Sequence, residues 1–395
     1  MVYFVFTPPA ARGSDQNRFQ IETYRTTSVP VQNSGSGPEG PHHQLLESHG
    51  EAQGFLAPAL LLLYGDVEST GYYEILSHRR CIMVVLKHLW TLPSHRAAFR
   101  AISLDKKYFI SFANGLLNET NSLVGSVMDT LAEIRVTQLA MQNAVEWAAL
   151  NEEERKERTE KYEQNENEVR AKADLCMETI HMLNYLTSEE DESLRLPFLV
   201  DEILPRFSSM LLNVVRLLVG AKGLAIKVDN MESYNFRPKE MLKEICVIMT
   251  HFDTYEVFFN SLAADGFIAD SDGKLLIHKA LQTVQKLHLL SPHEIEKMTE
   301  LVNRVVTARA NYKDIDALTD EAPENYLDPL MATIMRDPVL LPTSGNVVDR
   351  ATITTQLLQT SIDPFNRKPL TIEQVEPQSE LKEEIDAWLL SHGID

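Results

Sequence analysis

The sequence predicts a mainly α protein: an irregular stack of amphipathic helices followed by a small α+β domain at the C-terminus. Three observations carry this. From about Phe55 to Tyr312, apolar residues recur at helical spacing, without the alternation of a half-buried strand. Beyond Pro323 the pattern changes to Pro-punctuated loops around one hairpin signal and two short helices. Between them, residues 313–322 are acidic and short of apolar anchors, which reads as a hinge.

The helical stripes are specific. Tyr72, Ile75, Leu76, Met83, Leu86 and Trp90 share one face, with Pro93 just beyond. Val169, Ala173, Cys176, Ile180 and Leu183 form a second stripe. Ile203, Phe207, Met210, Leu211, Val214 and Leu218 form a third, with Gly220 as a stop. Leu242, Ile245, Met249, Phe252 and Phe259 precede Gly266, and Ile295, Met298, Val302 and Val305 close the series. Such stripes are core seams rather than cofactor boxes. In succession and without a strict repeat, they suggest an irregular α-solenoid of the armadillo or HEAT type over residues 54–312. Residues 151–170 carry dense charge of both signs, suited to a solvated, projecting helix. Residues 1–53, rich in Pro, Gly and Ser, cannot offset the entropy of ordering and read as a disordered segment.

Composition narrows function. The 395 residues carry a formal net charge of −20, which argues against a nucleic-acid or anionic-membrane surface and sets aside a nucleic-acid-binding helical repeat. The apolar run Phe55–Tyr64 contains Pro58 and is too short to cross a bilayer. Cys81, Cys176 and Cys246 lie far apart in apolar helical stretches; they read as buried thiols of a reducing compartment, cytoplasm or nucleus.

The C-terminal unit, residues 323–395, contains no cysteine and one histidine, His392, so neither zinc nor any other cofactor is expected. Val339-Leu340-Leu341 and Val347-Val348 flank a turn longer than two residues. Asp349 suits an N-cap for a helix burying Ile353 and Leu357, and Ser379 suits one for a helix burying Leu381, Ile385, Trp388 and Leu389, with Gly393 past its end. Polar groups must then pin the loops, the candidates being Asp337, Ser344, Asp349, Arg350, Asp363, Asn366 and Glu380; ordinary surface polarity is the competing reading for any one of them. No nucleophile–base pair is present, so the unit would act as a docking platform, without a covalent intermediate of its own.

Taken together, Asp328-Pro329-Leu330-Met331 and Asp363-Pro364-Phe365-Asn366-Arg367 resemble the paired loops of a U-box, the zinc-free relative of the RING finger. The likeness is to the U-box of the ubiquitin fusion degradation, or chain-elongation, factors. Leu63-Tyr64-Gly65-Asp66-Val67-Glu68, Leu218-Val219-Gly220-Ala221-Lys222, Lys227-Val228 and Tyr234-Asn235-Phe236-Arg237-Pro238-Lys239 are similar to that family's helical core, so the resemblance runs from about Phe55 to the end. It implies a ubiquitin ligase that docks a ubiquitin-conjugating enzyme and promotes transfer onto substrates or existing ubiquitin chains, in proteasomal degradation. Leu330, Pro364 and Phe365 would bind the conjugating enzyme, and Arg367 would be the linchpin holding the thioester for attack. Ubiquitin, ubiquitinated substrates and the hexameric AAA segregase are the further partners it implies. Two departures stand out. Gln356 occupies a position where histidine is more frequent in the family, and the front half of the family's core is missing. The alternative is accordingly a truncated, non-catalytic scaffold for ubiquitin-pathway partners.

Overall fold

The computed structural model describes residues 48–66, 72–188, 192–220, 228–270, 272–316 and 318–392. The body comprises α1 (Gly50–Asp66), α2 (Tyr72–Thr91), α3 (Pro93–Ser103), α4 (Lys106–Gln142), α5 (Ala144–Ala149), α6 (Glu152–Leu186), α7 (Glu192–Arg195), α8 (Leu204–Val219), α9 (Pro238–Thr250), α10 (Glu256–Ala264), α11 (Leu276–Lys286) and α12 (Pro292–Asp316). The C-terminal unit adds β1 (Pro338–Leu340), β2 (Val347–Asp349), α13 (Arg350–Gln359), β3 (Glu376–Pro377) and α14 (Ser379–Ser391). α1 opens inside the stretch read as low complexity; residues 1–47 of that reading lie outside the described residues. Among the described residues, no helix is long and apolar enough to cross a membrane.

The body is organised around α8. Phe207, Met210, Leu211, Val214 and Leu218 are fully buried, and the helix packs against α4, α9, α10 and α11. Burying each such side chain contributes roughly 1.5–3 kcal/mol. Gly220 ends α8 for a steric reason, since a Cβ there would sit 2.4 Å from the Arg216 carbonyl oxygen. Phe109, Phe198, Phe207, Phe252 and Phe258 continue the seam, with successive ring centroids 5.0–5.3 Å apart in tilted or edge-on pairs. Tyr64 is buried in α1, where it donates to Glu119 beneath the Arg79 guanidinium.

Several expectations need correction. The stripe from Leu242 to Phe259 spans two helices; α9 ends at Thr250, and on α10 it is Phe258 that is buried while Phe259 is half-buried. Cys176 and Cys246 are buried, and burial pushes the Cys246 thiol up to about 12, but Cys81 lies exposed, off the seam of Met83 and Leu86. The side chains of Tyr72, Ile75 and Leu76, and residues 221–227, lie outside what is described. α6 is capped by a reciprocal box between Asn151 and Glu154, and its first turns are exposed.

The acidic stretch 313–322 is no free hinge. α12 runs on to Asp316, and a single 3-10 turn follows at Thr319–Glu321. Buried Ile315, with Leu318 and Ala322, packs against Ile334, Met335, Ile385 and Leu389 of the C-terminal unit. Three apolar residues spaced among acids were enough to anchor it.

In that unit the strand order is β2-β1-β3, all antiparallel, with Val339 opposite Val348 and Leu340 opposite Glu376. β3 escapes sequence reading because it is two residues long, ends in proline and shows no alternation. A second cluster joins Val339, Leu341, Val348, Ile353, Leu370 and Val375. Ser379 does not cap α14. It is the first helical residue, preceded by Gln378, whose N–H donates to the Pro338 carbonyl at 2.9 Å; Gly393 lies outside the described residues.

Candidate functional site

The two Asp-Pro loops share one hydrogen-bonding plan. In the first, buried Asp328 accepts from Leu330 N–H through Oδ1 at 2.7 Å. Its carbonyl accepts from Ala332 N–H, and its own N–H donates to the Thr333 carbonyl, both at 2.7 Å. In the second, buried Asp363 accepts from Phe365 N–H through Oδ1 at 2.8 Å. Its carbonyl accepts from Arg367 N–H, and its N–H donates to the Lys368 carbonyl, both at 2.8 Å. The fifth residue of each loop is left-handed, Ala332 at φ 54° and Arg367 at φ 60°. Neither is glycine, so each loop holds a conformation L-residues disfavour, stabilised by the bonds around it.

The remaining carboxylate oxygens tie the loops to the hairpin. Asp328 Oδ2 accepts from Asp349 N–H at 2.9 Å, at the end of β2. Asp363 Oδ2 accepts from the Thr343 hydroxyl in the β1–β2 turn, and Asn366 Nδ2 donates to the Thr343 carbonyl at 2.7 Å. The loops thus attach to opposite ends of the hairpin. α13 runs from Asp349 towards the second loop, and ten residues give it a length of roughly 15 Å. Asp349 caps this helix through Ala351 N–H at 2.9 Å, while its other oxygen accepts from Arg336 and Asp337 N–H at 2.5 and 3.1 Å. Asp337 in turn receives Arg350 Nε at 2.5 Å.

Electrostatics separates the two buried capping acids. Burial pushes the Asp349 carboxyl up, and the neighbouring Asp328 adds to this, against the N–H groups of Arg336, Asp337 and Ala351. Burial also pushes Asp363 up, but Thr343, Ser344 and the N–H groups of Phe365 and Asn366 outweigh it, holding the carboxyl below its ordinary value. The Ser344 hydroxyl faces this carboxylate without the alignment of a full hydrogen bond.

What remains outward is apolar and cationic. Leu330 is 38% exposed and Phe365 39%, with Met331 and Ile362 exposed beside them and Pro364 half-buried. Arg367 is exposed, and no ion pair holds its guanidinium among the described residues. Gln356 is half-buried on α13, its Nε2 3.3 Å from Thr360 Oγ1. Glu380 stands exposed in the first turn of α14, away from the loop-pinning bonds proposed for it. Sequence reasoning missed Asp328 and Thr343 as loop anchors. Aligning Asp-Pro-Leu-Met-Ala-Thr on Asp-Pro-Phe-Asn-Arg-Lys would have exposed the first; Thr343 carries no local signal.

A clamped loop with an exposed aliphatic tip, a second with an exposed aromatic and an unpaired arginine, and a helix between them suit docking of another protein. A family model described as ubiquitin elongating factor core matches residues 19–306, beginning inside the segment 1–53, and a U-box domain model matches residues 322–394. The chain is 34% identical to a probable ubiquitin conjugation factor E4 of Arabidopsis thaliana, over 88% of this chain and 34% of that protein. It is 30% identical to ubiquitin conjugation factor E4 A of Bos taurus, over 85% and 32%. It is 31% identical to the E4 ubiquitin-protein ligase UFD2 of Saccharomyces cerevisiae, over 83% and 34%. The chain spans about a third of the length of these relatives. With the core model and the U-box model matched in succession along one chain, the protein belongs to the family of ubiquitin elongating factors that carry a C-terminal U-box.

Proposed function

We propose that this chain is a RING-type ubiquitin-protein transferase that docks a ubiquitin-conjugating enzyme and promotes ubiquitin transfer onto substrates or existing ubiquitin chains. The observation that carries the proposal is the pair of hydrogen-bonded loops presenting Leu330 and Phe365 outward, with an exposed Arg367, two residues after Phe365, whose guanidinium no ion pair holds among the described residues. Leu330, Pro364 and Phe365 hold the conjugating enzyme by apolar contact. Arg367 is the group with a free planar fork, able to bridge the enzyme and its ubiquitin, so its contribution is orientation of the thioester. Asp328, Asp349, Asp363, Asn366 and Thr343 keep the loops rigid, which lowers the entropic cost of docking.

The test is a titration of conjugating enzymes against the full chain, with Leu330→Ala and Phe365→Ala. Binding that weakens with each substitution supports the site, and binding that ignores both contradicts it. The hexameric AAA segregase and a cytoplasmic and nuclear location belong to the same proposal, through family likeness and the buried thiols. Co-precipitation of the segregase with the full chain, and imaging of the tagged protein, test them.

A further inference from the structure

The helical body and the U-box meet across a polar seam whose centre is Arg206. This arginine lies in the first turn of α8 with its side chain 7% exposed. Its Nη1 donates to Glu373 Oε1 at 2.7 Å, and its Nη2 donates to Asn118 Oδ1 at 2.5 Å. Asn114 Nδ2, one turn before Asn118 on α4, donates to the same Glu373 oxygen at 2.9 Å. Glu373 belongs to the U-box, in the 3-10 turn Ile372–Gln374, where Thr371 N–H donates to Gln374 Oε1 at 2.9 Å and Gln374 N–H donates to the Thr371 carbonyl at 3.1 Å. One carboxylate oxygen from the U-box thus accepts from two helices of the body.

The seam continues along α13, which packs against α8. Arg350, at the start of α13, contributes to holding Glu202 low, after the hydrogen bond Glu202 takes from Lys106 at 2.7 Å. Arg350 and Thr354, one turn apart, are buried. Leu330, Met331 and Phe365 stay exposed while the U-box is seated on the body.

We propose that Glu373 is a positioning residue: through Arg206 and Asn114 it locks the U-box in one orientation on the helical body, aiming a docked conjugating enzyme at an acceptor carried by that body. This rests on the ligase reading above. The lock acts on direction, not on chemistry, because the bonds that make it run between Asn114, Asn118, Arg206 and Glu373 and involve no loop-tip residue. Transfer to a small free amine needs no such aim, whereas transfer to a bulky acceptor does.

The experiment uses the full chain with Glu373→Gln, Glu373→Arg and the swap Arg206→Glu/Glu373→Arg. Hydrogen exchange reads the seam directly. Losing a charge-assisted pair with one half-exposed partner should speed exchange at residues 372–375 about tenfold in Glu373→Arg, less in Glu373→Gln, with recovery in the swap. Discharge of a charged conjugating enzyme to free lysine should stay within about twofold of wild type, and extension of a preformed ubiquitin chain should fall about tenfold. Unchanged exchange overturns the lock. Discharge and chain extension falling together, or both unaltered, overturns the positioning role. A wild-type chain that discharges no conjugating enzyme sinks the ligase reading instead, and the exchange data still decide whether Glu373 locks the seam.

Discussion

Replacing Asp328 with alanine should open the first loop of the U-box while leaving the helical body intact. The buried carboxylate accepts from Asp349 N–H at 2.9 Å and from Leu330 N–H at 2.7 Å. Asp349 is itself buried, so its amide would be orphaned at a cost of about 1–3 kcal/mol; the Leu330 amide, near solvent, would cost about 1 kcal/mol. Removing the Asp328 charge relieves part of the repulsion that helps push Asp349 up, which offsets a fraction. The two costs sum to about 2–4 kcal/mol before that offset, a large share of the roughly 4–11 kcal/mol that a domain of this size holds. In hydrogen exchange on the full chain, amides around Leu330–Asp337 and Asp349 should exchange about 30- to 1,000-fold faster. Asp328→Asn, which keeps one acceptor, should show a smaller increase. Protection unchanged within about twofold, or lost equally in α8, would refute the argument that this side chain holds the loop.

Four further outcomes are expected. Arg367→Ala and Arg367→Gly should both retain conjugating-enzyme binding while slowing discharge at least about tenfold, the glycine variant being more stable by about 1 kcal/mol because φ 60° suits it. Leu330→Ala should weaken binding by about 1–3 kcal/mol in a titration. Asp265, buried and carried from 3.8 to about 6 by desolvation against bonds from Ser209 and Phe267 N–H, binds its proton more tightly folded than unfolded. Its contribution to stability is then fully present below pH 3.8 and is lost as pH rises through about 6; Asp265→Asn should abolish that component of the slope and raise stability at pH 7 by up to about 3 kcal/mol in urea titrations. Asp363 runs the other way: its carboxyl is held low, so its stabilisation is present above the ordinary carboxylate range, about pH 4, and lost as pH falls below it. Amide protection at Phe365 and Arg367 should decline only in that acid window.

The helical stack was readable because burial on one face imposes a period that survives without structure: Val169 to Leu183 and Ile203 to Leu218 are buried as their spacing implies. Breaks between helices were less readable, since Phe252 and Phe259 keep a plausible phase across the end of α9. In the U-box, the Asp-Pro motifs pointed to both loops, but their positive-φ fifth residues were invisible because neither is glycine. The hinge was misread because anchoring there rests on Ile315, Leu318 and Ala322, whose partners lie far along the chain. Arg206 and Glu373 are separated by 167 positions, and no local pattern pairs them.

A ligase of the kind proposed activates a charged conjugating enzyme. The most direct test mixes the full chain and free lysine with a conjugating enzyme loaded with ubiquitin, and follows loss of the thioester with Arg367→Ala as control. The expected result is discharge that the chain accelerates and that the substitution returns to the uncatalysed rate. Discharge at the uncatalysed rate across a panel of conjugating enzymes, or acceleration indifferent to Arg367, would contradict it.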